Sequence, residues 1–143
     1  MRVGDYMTKE PFTVGEDANM KEAVELLRQH HIRHLPVVQG PKLIGIVTDR
    51  DIRKASPSLL SGVDMSQYEE TLSSTPIARV MTREPFTVTA ETELRDAVQL
   101  LVDKKVGAVP VVAGEDLVGI FTEIDALKVL LGVLSRVAQQ TGV

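Results

Sequence analysis

Met7-Thr8-Lys9-Glu10-Pro11-Phe12-Thr13-Val14 occurs twice in this chain, returning as Met81-Thr82-Arg83-Glu84-Pro85-Phe86-Thr87-Val88 with one conservative change. A repeat of this kind decides the architecture before any single element is read. Extended outward at the same offset of 74, residues 5–52 align with 79–126 without a gap, and 20 of the 48 positions are identical. Pro36-Val37-Val38 returns as Pro110-Val111-Val112, and Gly45-Ile46-Val47-Thr48 as Gly119-Ile120-Phe121-Thr122. The chain is therefore a duplicated unit.

Each copy has the same reading. Phe12-Thr13-Val14 is a short strand. Asn19 offers an N-cap, with Glu22 placed to complete a capping box. Met20, Ala23, Val24 and Leu27 then mark one helix face, and Leu94, Ala97, Val98 and Leu101 repeat it. Leu35 to Val38 and Leu43 to Val47 are apolar strands joined through Gln39-Gly40-Pro41, a hairpin. A second helix begins after Thr48. The order strand, helix, strand, strand, helix makes an α/β (α+β) fold of two β-α-β-β-α repeats. A unit of roughly 50 residues is marginal alone, so the copies are expected to pack together with pseudo-two-fold symmetry.

The expected boundaries are 1–62 for the first repeat with the start of a linker, 63–74 for the linker, and 75–143 for the second repeat with its C-terminal helix. Residues 53–74 hold six serines with Pro57 and Gly62, which is linker composition. Thr75-Pro76 reads as the N-cap and first turn of a short helix. The tail from Ala126 to Gln140 is apolar around much of its circumference, which suits either core packing or a subunit contact.

Composition narrows the function. The 143 residues carry a net charge of −4 and only 3% aromatics. No basic field invites nucleic acid, and stacking platforms for single strands are scarce. The longest runs without a charge, Val106 to Gly114 and Ala55 to Val63, are nine residues, against the ~18 of a membrane helix. The opening residues lack the apolar core of a signal peptide. Cysteine is absent, which excludes disulfides and thiolate chemistry and fits a cytoplasmic location. No serine elbow, phosphate-loop lysine motif or marked acid–base pair stands out, so no enzyme is expected.

Thr48-x-x-Asp51 and Thr122-x-x-Asp125 each fall where a strand ends and a helix starts. Two readings fit. One is a capping box. The other is a nucleoside site, where helix N–H groups attract phosphate and a carboxylate accepts from ribose hydroxyls. The cluster His30-His31-Ile32-Arg33-His34 raises a metal site. However, the helix is expected to end near His31, so His30 and His34 lose the i, i+4 geometry of zinc-binding helices.

Together the M-T-x-E-P-F-T-V openings, the P-V-V strands, and G-I-V-T-D-R-D with G-I-F-T-E-I-D resemble a tandem pair of CBS (cystathionine β-synthase) domains over nearly the whole chain. Residues 49–58 also resemble the CBS part of acetoin-utilisation-type proteins. The resemblance implies a regulatory module binding an adenosine-containing ligand (AMP, ADP, ATP or S-adenosylmethionine) in an inter-repeat cleft, with no obligatory cofactor. It implies a homodimer as well, and a regulated protein that the sequence does not name. In such pairs the Thr and Asp hold phosphate and ribose, and basic residues such as Arg33 and His34 face phosphate. One cleft would then join Thr48, Asp51, Arg33 and His34 to Thr82, Val106, Gly107 and Ala108 around the base. The other would join Thr122 and Asp125 to Ile32, Arg33 and His34, with Thr8 as the counterpart of Thr82. Because Arg33, His34 and Arg50 become Gly107, Ala108 and Ile124, the clefts are expected to be unequal, the first favouring the more phosphorylated ligand. Its affinity would weaken with rising salt, or as rising pH removes the proton from His34. Two other readings remain open: a ligand-free dimerisation scaffold, and a metal-dependent enzyme or sensor built on the histidines.

Overall fold

The structure, a computed structural model, describes residues 1–58, 60 and 62–141. Its elements are β1 (Thr8–Lys9), β2 (Val14–Gly15), α1 (Met20–Gln29), β3 (His34–Gln39), β4 (Lys42–Thr48), α2 (Asp49–Ala55) and α3 (Met65–Ser74). Then come β5 (Thr82–Arg83), α4 (Leu94–Lys104), β6 (Ala108–Ala113), β7 (Asp116–Thr122) and α5 (Glu123–Thr141). This is the mixed α and β fold expected.

Local chemistry explains the boundaries. Asn19 Oδ1 accepts from the Glu22 N–H at 2.9 Å and starts α1. That is only half of the expected box, since no Glu22 side-chain return is made among the described residues. Gly40 turns the first hairpin with φ +59°, and Gly114 turns the second with φ +62°. The copies share strained positions too. Glu10 and Glu84 have φ of 50° and 48°, and His31 and Lys105 have 53° and 54°.

Three elements depart from the sequence reading. The first strand is confined to Val14–Gly15, and Phe12 instead lies half exposed with its ring stacked 3.6 Å from His30. The serine-rich segment contains α3 rather than only linker. Asp64 and Gln67 cap it reciprocally, and Leu72 is buried in a core that also holds Met20, Ala23 and Leu27 of α1. Thr75 closes α3, its hydroxyl donating to the Thr71 carbonyl at 2.6 Å. The short helix that follows is therefore a 3-10 turn over Ile77–Arg79.

The chain forms two compact units that interleave in sequence. The Asp51 unit holds Pro11–Pro85 with Glu115–Leu117. In it β2 runs parallel to β3, β3 antiparallel to β4, and β4 antiparallel to β5. The Asp125 unit holds Met1–Glu10, Phe86–Gly114 and Val118–Val143. In it β6 pairs β7, β7 pairs β1 antiparallel, and Val88 bridges to Val111.

Each unit thus takes its short edge strand from the opening of the other copy. The arms bring apolar anchors. Ile77 and Met81, from the opening of copy two, are buried among Val14, Leu27, Leu35 and Val47. Val3, from the opening of copy one, is buried among Val88, Leu94, Val109 and Phe121, with Met7 packed against that core. Fully burying a side chain of this size contributes about 1.5–3 kcal/mol, so the exchanged arms are part of each core.

Candidate functional site

β4 and β7 each end in a Thr that caps the helix following it. Thr48 Oγ1 accepts from the Asp51 N–H at 3.1 Å, and Asp51 Oδ2 accepts from the Thr48 N–H at 2.9 Å. Thr122 and Asp125 repeat this at 3.1 and 3.0 Å. The capping box expected as one of two readings is therefore real in both copies. It uses one carboxylate oxygen of each Asp and leaves the other for a second task.

In the Asp125 unit that second oxygen is taken. Thr8 Oγ1 donates to the Asp125 carboxylate, 3.2 Å from Oδ1 and 3.3 Å from Oδ2. Asp125 is 8% exposed, the one buried charged side chain among the described residues. β1 brings Thr8 there, with Thr8 opposite Ile120 and Lys9 opposite Gly119. A Cβ on Gly119 would stand 2.9 Å from the Thr8 carbonyl oxygen and 2.7 Å from Met7 Sδ. A glycine here lets β1 lie close. Gly45 does the same for β5, where a Cβ would be 2.8 Å from both the Thr82 carbonyl oxygen and Met81 Sδ. The recurring glycine thus has a packing cause.

Gly119→Ala is accordingly expected to cost about 1–3 kcal/mol through overpacking and to separate Thr8 from Asp125. Denaturant unfolding of a double-mutant cycle checks this. Thr8→Ala lowers stability in the native background and has no further effect beside Gly119→Ala. An equal cost in both backgrounds contradicts the account.

The Asp51 unit differs. Asp51 is half-buried, and among the described residues its Oδ1 accepts no hydrogen bond. Thr82 stands opposite Ile46 on β5 but makes no bond to Asp51. The Arg33 carbonyl accepts from the Asp49 N–H at 3.1 Å, so exposed Arg33 emerges beside the start of α2. His34 faces Thr48 in the β3–β4 ladder, and Ile32 packs on this unit's core. At the equivalent place in the Asp125 unit, the Gly107 carbonyl accepts from the Glu123 N–H at 2.9 Å. The same backbone position thus carries a cation in one copy and no side chain in the other.

The expected site residues divide between the units. Thr48, Asp51, Ile32, Arg33, His34 and Thr82 lie in one, and Thr8, Val106, Gly107, Ala108, Thr122 and Asp125 in the other.

Two cations were missed by copy-to-copy comparison. A hollow of about 310 Å³ in the Asp125 unit is lined by Asp5, Tyr6, Asp125, Lys128, Gly132 and Arg136, among others. Lys128 and Arg136 lie beyond the aligned stretch, one turn either side of Gly132 on α5. Neither makes an ion pair among the described residues. The signal in the sequence was their i, i+8 spacing on one helix face.

The histidines are dispersed. His30 caps the C-terminus of α1 and stacks on Phe12, His31 takes a left-handed conformation, and His34 lies in β3. In copy two Lys104 replaces His30 and lies 5.0 Å from the Phe86 ring centroid. Among the described residues no group of three or more His, Cys, Asp or Glu is placed to hold a metal, and no helix is long and apolar enough to cross a membrane.

Residues 3–58 and 77–132 each match the CBS domain family. The chain belongs to that family. As a CBS pair it is similar to the Vibrio cholerae protein AcuB, assigned to acetoin utilization, at 30% identity and a TM-score of 0.78 over 99% of this chain and 96% of that one. It is similar to CBSX2 of Arabidopsis thaliana, solved in complex with AMP, at 29% identity and a TM-score of 0.76 over 92% and 97% of the two chains. It is also similar to the CBS pair of protein MJ0100, in complex with 5′-methylthioadenosine and S-adenosylmethionine. There the identity is 29% and the TM-score 0.76, again over 92% and 97%.

Proposed function

We propose that this CBS pair is a regulatory module, not an enzyme, that binds an adenosine-containing nucleotide and thereby modulates a partner protein. The observation that carries the reading is the spare oxygen of Asp51. A half-buried carboxylate with one lone acceptor, beside a capped helix start and Arg33, suits a ribose diol with phosphate toward the cation. AMP bound to CBSX2, and the two adenosyl ligands bound to MJ0100, support the ligand class. The chain is also proposed to work as a homodimer with an isologous interface.

A thermal-shift screen tests the ligand class. One of AMP, ADP, ATP or S-adenosylmethionine at 100 times its dissociation constant adds about 2.7 kcal/mol of stability. No shift with any of them, at millimolar concentration, overturns the reading.

The two sites are proposed to be unequal. Lys128 and Arg136 weaken the charge argument for this, and hydrogen bonding now supplies the ground. Asp125 already has Thr8, whereas among the described residues Asp51 has an oxygen to spare. Calorimetric titration is expected to give one strong event per chain at Asp51, followed by a weaker one or none. Two equal events per chain contradict this.

A further inference from the structure

Gly132 has no packing reason to be a glycine. It stands inside α5, where only proline is a poorer helix former. A Cβ there would meet nothing within 4 Å, so alanine would fit and would stabilise the helix. The glycine instead keeps a gap open. It lines the hollow of about 310 Å³ in the Asp125 unit, with Lys128 and Arg136 one turn away on either side. A turn of helix is about 5.4 Å, within reach of both long stems, so the two cations can converge above Gly132. Neither makes an ion pair among the described residues. The other wall is held in place from the opening of the chain. Val3 is fully buried, its N–H donates to the Thr92 carbonyl at 2.9 Å, and the Gly4 N–H donates to the Ala90 carbonyl at 2.9 Å. These contacts fix the turn that carries Asp5 and Tyr6.

The hollow carries both signs of charge. Asp125 is already engaged, its carboxylate accepting from the Thr122 N–H and the Thr8 hydroxyl. Asp5 is exposed and makes no ion pair among the described residues. Two cations beside an open carboxylate suit a ligand that pairs an anionic group with a cationic one. Val129 and the Tyr6 ring add an apolar wall. We infer that the hollow binds the α-amino-acid group of a ligand with an apolar side chain. Lys128 and Arg136 hold its carboxylate above Gly132, Asp5 faces its ammonium, and its side chain lies on Val129 and Tyr6. The first copy has no counterpart. There α2 stops at Ala55, and the positions matching Asp5, Gly132 and Arg136 are Arg79, Ser58 and Gly62. Arg136 also lies past the family match, which ends at residue 132. The inference goes beyond the nucleotide reading and does not use the spare oxygen of Asp51. The same group comes as a free amino acid or as the tail of S-adenosylmethionine, so the test carries both.

Calorimetric titration of the native chain with L-methionine is expected to show one site per chain, weakened by added salt. Methionine amide lacks the carboxylate and 4-(methylthio)butyrate lacks the ammonium, and each is expected to bind about tenfold more weakly or worse. Gly132→Ala gives effects of opposite sign. The melting temperature rises by about 2–4 °C, while affinity for L-methionine falls about tenfold or more as the gap fills. Arg136→Gln weakens L-methionine by a similar factor and leaves melting near native. AMP binding is expected to be unchanged in both variants, so this inference and the nucleotide reading fail separately. 5′-Methylthioadenosine, which has no amino-acid group, separates the two sources. Binding of S-adenosylmethionine without binding of L-methionine, weakened by Gly132→Ala while 5′-methylthioadenosine is unaffected, assigns the tail. Native affinity for both L-methionine and S-adenosylmethionine in the two variants overturns the inference. So does binding of neither at millimolar concentration, or inorganic phosphate binding more tightly than L-methionine.

Discussion

Asp51→Ala is expected to weaken nucleotide binding about tenfold to a hundredfold. The carboxylate has two jobs, and the substitution removes both. Hydrogen bonds from ribose hydroxyls to a charged acceptor contribute roughly 1.5–3 kcal/mol, and each 1.4 kcal/mol is about tenfold in affinity. The Thr48 N–H also loses its acceptor, the Asp51 half of the capping box, which costs about 0.5–1.5 kcal/mol of stability. A lower melting temperature is therefore expected in either case and does not discriminate. Asp51→Asn separates the two jobs. Its side-chain oxygen still accepts from the Thr48 N–H, now made at 2.9 Å, while the charge is gone. Near-native melting with weakened binding in calorimetry is the expected result. Native affinity in both variants would mean that Asp51 is a cap and nothing more.

The second large effect belongs to the exchanged arms. Ile77 is fully buried, yet it lies in the core of the Asp51 unit although its sequence opens copy two. Ile77→Ala is expected to cost about 2–5 kcal/mol through the lost apolar contact and the residual cavity. The location of the damage is the sharper test. Native-state hydrogen exchange reads local stability element by element. Protection is expected to fall in α1, β3 and β4, and to hold in α4 and β6. The opposite pattern would mean that the arm packs on its own repeat.

The sequence made the repeated elements legible because 20 identities at one offset tie two readings together. Gly40 marked the first hairpin, and Thr48 and Thr122 marked both helix starts. The arm exchange was not legible. Val3, Met7, Ile77 and Met81 announce burial, but a periodicity along the chain does not say which core receives them. The bond from Thr8 to Asp125 spans 117 residues, and no local pattern encodes it. α3 was hidden by its serines, although Asp64 and Gln67 already spelled a capping box. In the candidate site, Arg33 and Asp51 were legible through the family motif. The spare oxygen on Asp51 was not, since it depends on Thr82 making no bond where Thr8 makes one. Lys128 and Arg136 were not legible as a pair, because the gapless alignment stops at Ala126 and the hollow they line is formed with Asp5 and Tyr6, far away in sequence.

The most direct test of the central claim is a crystal structure of the chain soaked with AMP and, separately, ATP. The account predicts a ribose whose hydroxyls lie within about 3 Å of Asp51 Oδ1, at ordinary hydrogen-bond distance, with phosphate toward Arg33. Nucleotide density beside Asp125 with none beside Asp51 would contradict it.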